Sequence, residues 1–200
     1  NGDPLWYMDE KDANKNPTGR RVTTNDYSSA DYYYVNKSSL PKVYGGFNTS
    51  LSWKGFDLSA IFAYSIGGYI YNRDITMILH NGSLEGRDWS TEILRRWTPD
   101  NRYTDVPALS TTSNNWNSAS TRFLQNNSYM RLKNLTLSYN LPKQWISKLS
   151  LSSVQVYVQG DNLFTIHRNQ GLDPEQGITG ITYYRYPAMR TISGGINVSF

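Results

Sequence analysis

Cysteine is absent from the 200 residues, which removes disulfide frameworks, thiolate metal sites and cysteine nucleophiles at once. Long hydrophobic runs are lacking too. The best one, Ala60 to Tyr71, is interrupted by Ser65, Gly67 and Gly68, far short of the roughly 20 apolar residues of a membrane-crossing helix. A helical membrane protein is excluded. Histidine is scarce: His80 and His167 lie in separate segments without an acidic partner motif, so no metal site or catalytic triad is legible, and no cofactor motif is present. No stripe of one charge exists either. The formal charge is +4, but the 20 basic residues are scattered, the largest clusters being pairs such as Arg20-Arg21 and Arg95-Arg96. That distribution argues against nucleic acid as a partner. The start, Asn1-Gly2-Asp3-Pro4, reads as mid-protein loop rather than a secretion signal, so the chain is expected to be part of something longer.

What the chain does have is aromatic content of 14%, led by 16 Tyr, and a recurring period of two. At 38% hydrophobic residues it is long enough for one domain with its own core. In the last eleven residues Ile192, Gly194, Ile196, Val198 and Phe200 share one face, and Thr191, Ser193, Gly195, Asn197 and Ser199 the other. Such a strand needs an apolar medium on one side and water or polar groups on the other. A lipid-facing barrel wall supplies both, and so does a sandwich core; strand length separates them.

Residues 1–42 are polar and without periodicity, and read as loop. From Val43, the residues Val43, Gly45, Phe47, Thr49, Leu51 and Trp53 alternate with a polar set; after Lys54-Gly55, so do Phe56, Leu58, Ala60, Phe62 and Tyr64. Across a two-residue turn the flanking residues face the same way, and Trp53 and Phe56 both belong to the apolar face. Each strand has about ten residues, the length that crosses a hydrocarbon layer when tilted, where globular strands average about five or six. Trp53 and Phe56 are therefore candidate interfacial anchors, with Tyr64 serving the opposite girdle.

Regularity fails from Arg73 to about Thr121, apart from an expected short helix over Ser90–Trp97 capped by Ser90 or Thr91. It returns with Leu135, Leu137, Tyr139 and Leu141, then with Val154, Val156, Val158, Gly160, Phe164 and Ile166, where only Asn162 breaks the face. Arg131 and Lys133 fall on the greasy side, which calls either for snorkelling at the outer headgroups or for a bulge near Leu132. Lys143 to Leu149 makes a short connection carrying Trp145. The expected organisation is 1–42 loop, 43–72 hairpin, 73–121 extracellular loop, 122–166 hairpin, 167–188 extracellular loop and 189–200 final strand. Five strands cannot close, since the smallest barrels need about eight, so both edges must pair with strands outside this chain.

Leu40-Pro41-Lys42-Val43-Tyr44-Gly45-Gly46, Trp53-Lys54-Gly55-Phe56-Asp57-Leu58, Arg96-Trp97-Thr98-Pro99, Tyr129-Met130-Arg131-Leu132-Lys133-Asn134-Leu135-Thr136-Leu137-Ser138-Tyr139, Gly160-Asp161-Asn162-Leu163-Phe164 and Tyr186-Pro187-Ala188-Met189-Arg190 resemble the C-terminal barrel segments of the SusC/RagA family, TonB-dependent outer-membrane transporters of the Bacteroidota. The resemblance spans nearly the whole chain in the expected order. It implies an all-β, antiparallel transmembrane barrel of about 22 strands with an N-terminal plug, to which this chain contributes about five strands. It further implies a bacterial outer-membrane location, a SusD-like lipoprotein over the mouth, a glycan or peptide substrate, and energy from TonB. A terminal aromatic on an alternating strand also resembles the signal read by the barrel-assembly machinery, which here would be Ile196, Val198 and Phe200.

Other candidates read more plainly. Asp12-Ala13-Asn14-Lys15-Asn16 has the alternating oxygens of a calcium loop, but Pro17 replaces the required Gly and Thr23 stands where a bidentate Glu belongs, so a polar surface loop is expected. Asp88 and Glu92 could pair as in glycoside hydrolysis, yet beside Arg95 and Arg96 they read as a solvated helix face. No catalytic residue is assigned and the chain is not expected to be an enzyme. Trp89, Trp116, Tyr183 and Tyr184 are candidate contacts for substrate or partner, since an aromatic with a polar tip suits wet recognition. The alternatives are a non-transporting structural or adhesive barrel and a soluble carbohydrate-binding β-sandwich.

Overall fold

In the computed structural model Lys54 and Gly55 both adopt positive φ, 47° and 85°, the type I′ geometry whose twist matches the flanking strands. The turn joins Val43–Trp53 to Phe56–Ile66 in unbroken register, from Trp53 opposite Phe56 to Val43 opposite Ile66. The structure describes residues 1–82, 84, 86–110, 115–147, 150–171, 173–175 and 177–200. Among them are nine strands: β1 (Trp6–Lys11), β2 (Pro17–Thr24), β3 (Val43–Trp53), β4 (Phe56–Ile66), β5 (Tyr69–Tyr71), β6 (Leu124–Asn126), β7 (Tyr129–Asn140), β8 (Ser153–His167) and β9 (Thr191–Ser199). Two short helices, α1 (Arg73–Ile78) and α2 (Lys143–Ile146), accompany them.

Five of the strands make one antiparallel sheet in the order β3-β4-β7-β8-β9. Its registers put like with like. Leu58 opposes Leu137, which opposes Val158, while on the other side Ser59 opposes Thr136 and Thr136 opposes Gln159. The apolar side is not a core. Phe47, Leu58, Val156 and Ile196 are exposed by 49, 39, 43 and 65% respectively, whereas the sandwich alternative would bury them. Among the described residues β3 and β9 are the edges of this sheet, long rows of backbone donors and acceptors that call for further strands.

Of the two explanations for Arg131 and Lys133, the bulge holds and snorkelling does not. Against β4 the register jumps from Ile61–Asn134 to Phe62–Leu132, leaving Lys133 as the extra residue. Against β8 it jumps from Asn134–Asp161 to Leu132–Phe164, and Asn162 there takes a positive φ of 52°. One inserted residue reverses the phase of a strand. Leu132 and Met130 therefore rejoin the apolar rows of Phe62 and Tyr64, and Arg131 turns to the polar side opposite Ala63 and Thr165.

Elsewhere the structure departs from the sequence expectations. The chain divides into two units rather than one: a sheet unit of Ser38–Ile70, Gln125–Gly180 and Tyr184–Phe200, and a loop unit of Asn1–Lys37, Tyr71–Leu124 and Ile181–Tyr183. Residues 1–42 are not simply loop, since β1 and β2 form a hairpin from Trp6 opposite Thr24 onward. Its alternation is masked by polar side chains on both faces. The stretch from Arg73 carries α1, capped by Asn72 Oδ1 accepting from Ile75 N–H at 3.0 Å. The expected short helix is a 3-10 turn over Thr91–Arg95, capped by Ser90. A cluster of buried hydrophobics lies in this loop unit, with Leu79, Ile93, Val106 and Trp116 packed together. The connection after β7 folds as α2, its last residues, 148–149, lying outside the described residues.

The bulge also explains a glycine. Leu163, displaced by it, lies over Gly160, where a Cβ would come 2.6 Å from Leu163 Cδ2 and 2.9 Å from Cγ. In the full-length protein, Gly160→Val is expected to cost about 1–3 kcal/mol through overpacking, read as a lower urea midpoint of the refolded protein. An unchanged midpoint would show that Leu163 moves aside freely.

Candidate functional site: a polar wall and a loop cavity

Side chains on the polar face of the sheet bond laterally from strand to strand. Asn134 Nδ2 donates across to Asp161 Oδ1 at 2.8 Å, and along the same strand Thr136 Oγ1 donates to Asn134 Oδ1 at 2.9 Å, holding that amide in place. Nearer the Lys54-Gly55 turn, Gln155 Nε2 donates to Asn140 Oδ1 at 3.1 Å, Asn140 Nδ2 to Asp57 Oδ2 at 2.6 Å, and Asn197 Nδ2 to Gln155 Oε1 at 3.2 Å. Amides and hydroxyls in such a ladder hold one another in place while keeping spare donors and acceptors for water or a polar solute.

At the far end of this face Arg131 meets Asp173 at 2.5 Å and Glu175 at 2.7 Å, and Lys133 reaches Glu175 at 2.8 Å. Burial alone would raise the Asp173 carboxyl. Backbone N–H donors from Glu175 and Ala188, together with the Arg131 guanidinium, outweigh it and hold the group below the usual carboxylate range.

Within the loop unit lies a cavity of about 1140 Å³, walled by aromatics that include Trp6, Tyr27, Tyr33, Trp97 and Trp116. Trp6 meets Tyr27 edge-on at 5.3 Å, and Tyr27 Oη donates to the Ala119 carbonyl at 3.2 Å. Tyr33 Oη donates to Asp9 Oδ1 at 2.8 Å while the Arg21 guanidinium covers its ring at 4.1 Å. Trp116 is fixed in the buried cluster, and its Nε1–H finds no acceptor among the described residues. The volume is ample for a sizeable ligand, and polar-tipped rings are the usual lining of such a site.

The four aromatics singled out from sequence have four different settings. Trp116 lines the cavity. Trp89 donates to His80 Nδ1 at 3.2 Å. Tyr183 lies under the Arg73 guanidinium at 5.3 Å. Tyr184, exposed and at a positive φ of 41°, belongs to the sheet unit. The rest of the cavity wall was missed, although the run Asp31-Tyr32-Tyr33-Tyr34 was a signal. Asp12 is occupied locally, its Oδ1 accepting from Asn14 N–H and Asn16 N–H at 2.8 and 2.9 Å. Glu92 pairs with Arg95 rather than with Asp88. His80 Nδ1 also accepts from Gly82 N–H at 3.1 Å, so the ring proton sits on Nε2, and burial followed by the nearby Arg87 charge pushes its pKa down.

The three anchor candidates sit at the two ends of the first hairpin. Trp53 and Phe56 flank its turn, exposed, with Lys54 Nζ 4.8 Å from the Trp53 ring and Phe56 against Tyr139 at 4.5 Å. Tyr64, near the other end, lies across its partner Gly45. Ile196 and Val198 stand exposed on the apolar face of β9, and Phe200 follows that strand, also exposed.

A sheet with exposed apolar rows on one side and a hydrogen-bonded polar ladder on the other is a segment of outer-membrane β-barrel wall, and no helix among the described residues is long and apolar enough to cross a membrane. A comparison with protein-family profiles finds no match. TonB-dependent receptor P3 of Formosa agariphila is 34% identical over 166 residues, 78% of this chain and 16% of that protein. Receptor P26 of the same organism is 31% identical over 86% of this chain, and TonB-dependent receptor SusC of Bacteroides thetaiotaomicron 27% identical over 84%. The solved RagAB peptide transporter superposes over 100% of this chain and 21% of its own, with 35% identity and a TM-score of 0.81. The RagAB peptide importer in its closed-closed state gives 0.79. The chain belongs to the SusC/RagA family of TonB-dependent receptors and spans about a fifth of their length or less.

Tyr33 offers a direct check of the cavity wall. Partial burial first, and then the hydrogen bond to Asp9, push its phenol up to about 12. A raised pKa means that the folded state favours the neutral phenol, so this contribution is complete below the ordinary tyrosine value of about 10 and fades as pH rises through about 12. The difference between the phenolate titrations of native and Tyr33→Phe protein is expected to show one late-ionising group. A difference centred on the ordinary value would mean that the Asp9 contact is not made in solution.

Proposed function

We propose that this chain is the C-terminal part of the barrel of an outer-membrane nutrient importer, supplying wall strands, two outer loops (73–121 and 167–188) and the assembly signal. One observation carries the reading: apolar rows stand exposed along the sheet, opposite a polar ladder, an arrangement that needs oil outside and water within. In this reading Trp53 and Phe56 anchor the periplasmic rim and Tyr64 the outer one. TonB coupling acts on a plug elsewhere in the protein, and a SusD-like lipoprotein covers the mouth. The paired names of the RagAB structures and the SusC relative support that partnership, and the peptide importer among them supports a peptide or glycan as cargo. Of the proposed contacts, Trp89, Tyr183 and Tyr184 present exposed aromatic surface to cargo or lipoprotein, while Trp116, held in the buried cluster, acts by shaping the cavity wall. Nothing in the arrangement requires bond chemistry of these residues.

Neighbouring residues on opposite faces of β7 provide the test. In the full-length protein, Leu137→Arg is expected to cost about 2–4 kcal/mol in the bilayer and to strip the receptor from the outer membrane, whereas Thr136→Arg leaves its level near native. Equal tolerance, or the reverse order, would contradict a lipid-facing Leu137. The assembly role is tested separately. Deleting Phe200 is expected to lower surface abundance in cells, and unchanged abundance would limit Phe200 to sealing the wall.

A further inference from the structure

One carboxylate gathers three parts of the sheet unit. Asp173 Oδ1 accepts from Arg131 Nη2 at 2.5 Å and from Glu175 N–H at 2.9 Å, and Asp173 Oδ2 accepts from Ala188 N–H at 2.6 Å. Wall strand β7, the start of the segment between β8 and β9, and the end of that segment therefore converge on it. Arg131 is fully committed: Nη1 donates to Glu175 Oε2 at 2.7 Å and Nε to Thr165 Oγ1 at 2.9 Å. Its side chain is 3% exposed and that of Asp173 6%. Lys133 Nζ adds both oxygens of Glu175, at 2.8 and 2.9 Å. Among the described residues the segment has further, uncharged ties: Asn127 Nδ2 donates to the Pro174 carbonyl at 2.8 Å, Gln170 N–H to Gln125 Oε1 at 3.0 Å, Ser39 Oγ to the Ile178 carbonyl at 2.8 Å and Asn162 Nδ2 to the Met189 carbonyl at 3.1 Å.

The β7 bulge and this cluster form a single device. Without the extra residue at Lys133, Arg131 would share the face of Leu135 and Leu137 and could not meet the segment at all. A buried guanidinium with a partner removed is left as an uncompensated charge in a site closed to water. The cluster therefore holds completely or lets go, and does not loosen by degrees.

We propose that Arg131, Asp173 and Glu175 form a latch: Arg131 is a positioning residue that holds the described residues of a strap within 168–180 back onto the polar face, and breaking the pair frees this strap while the five-stranded sheet stays paired. Where that face lines a lumen, as proposed above, the latched strap is a preset part of the passage wall. The latch itself requires only the geometry just described.

The test uses the full-length receptor in lipid with a nitroxide attached at Ile178→Cys, a residue 73% exposed on the strap in a segment without native cysteine. The native background is expected to give a restricted spectrum. Arg131→Met and the isosteric Asp173→Asn should each shorten the rotational correlation time by about threefold or more, with the heat-modifiable gel mobility of a folded barrel retained. Arg131→Lys, which keeps the charge but not the forked geometry, should restore an intermediate spectrum. If Arg131→Met does not assemble, Asp173→Asn decides. A restricted spectrum in a folded Asp173→Asn barrel overturns the latch, and so does mobilisation that Arg131→Lys does nothing to reverse. Aqueous accessibility of a nitroxide at Thr136→Cys, measured in the same preparation, reports on the wet-lumen reading independently of the strap.

Discussion

The structure depends on the contact of one sheet face with hydrocarbon. Rows such as Leu58, Leu137 and Val158 are apolar across strand after strand, yet lie open to the surroundings. At about 25 cal/mol per Å² of apolar surface removed from water, such a face is costly in solution and favourable in a bilayer. The opposite face carries the complementary demand, since its amides and carboxylates are bonded to one another and would be unsatisfied in oil. Strand length, register and turn chemistry all serve to keep the two faces from mixing.

The bulge at Lys133 is the point where that separation would have failed. Strict alternation would send Arg131 and Lys133 into the lipid. The inserted residue restores the apolar rows with Leu132 and Met130 and delivers a buried cation to Asp173 and Glu175 on the wet side. Asn162, at a positive φ on the neighbouring strand, lies in the same irregularity, and its side chain donates to the Met189 carbonyl at the entry to β9. A local defect in a ladder thus fixes the wall's phase and ties down a distant part of the chain.

The wall was legible in the sequence because period-two alternation is a local signal. The faces of β3, β4, β8 and β9 could be written out residue by residue, and the Lys54-Gly55 turn confirmed that Trp53 and Phe56 share a side. The loop unit was not legible. Its β1–β2 hairpin has polar residues on both faces, its helix α1 is six residues long, and its buried cluster draws Leu79, Ile93, Val106 and Trp116 from stretches with no common period. The partners of Arg131 lie 42 and 44 positions away, a pairing that only the folded chain creates. The aromatic cavity assembles in the same way from residues near position 6, position 33 and position 116.

The central claim is tested most directly by scanning a single nitroxide along β8 of the full-length receptor in lipid and measuring its access to dissolved oxygen and to a water-soluble nickel complex. Positions 154, 156, 158, 164 and 166 are expected to favour oxygen, and positions 155, 157, 159, 161 and 165 to favour nickel, with the alternation interrupted at Asn162 and Leu163 but resuming in the same phase. Uniform access along the strand, or oxygen preferring the Gln155 and Gln159 side, would contradict a wall with lipid on its apolar face.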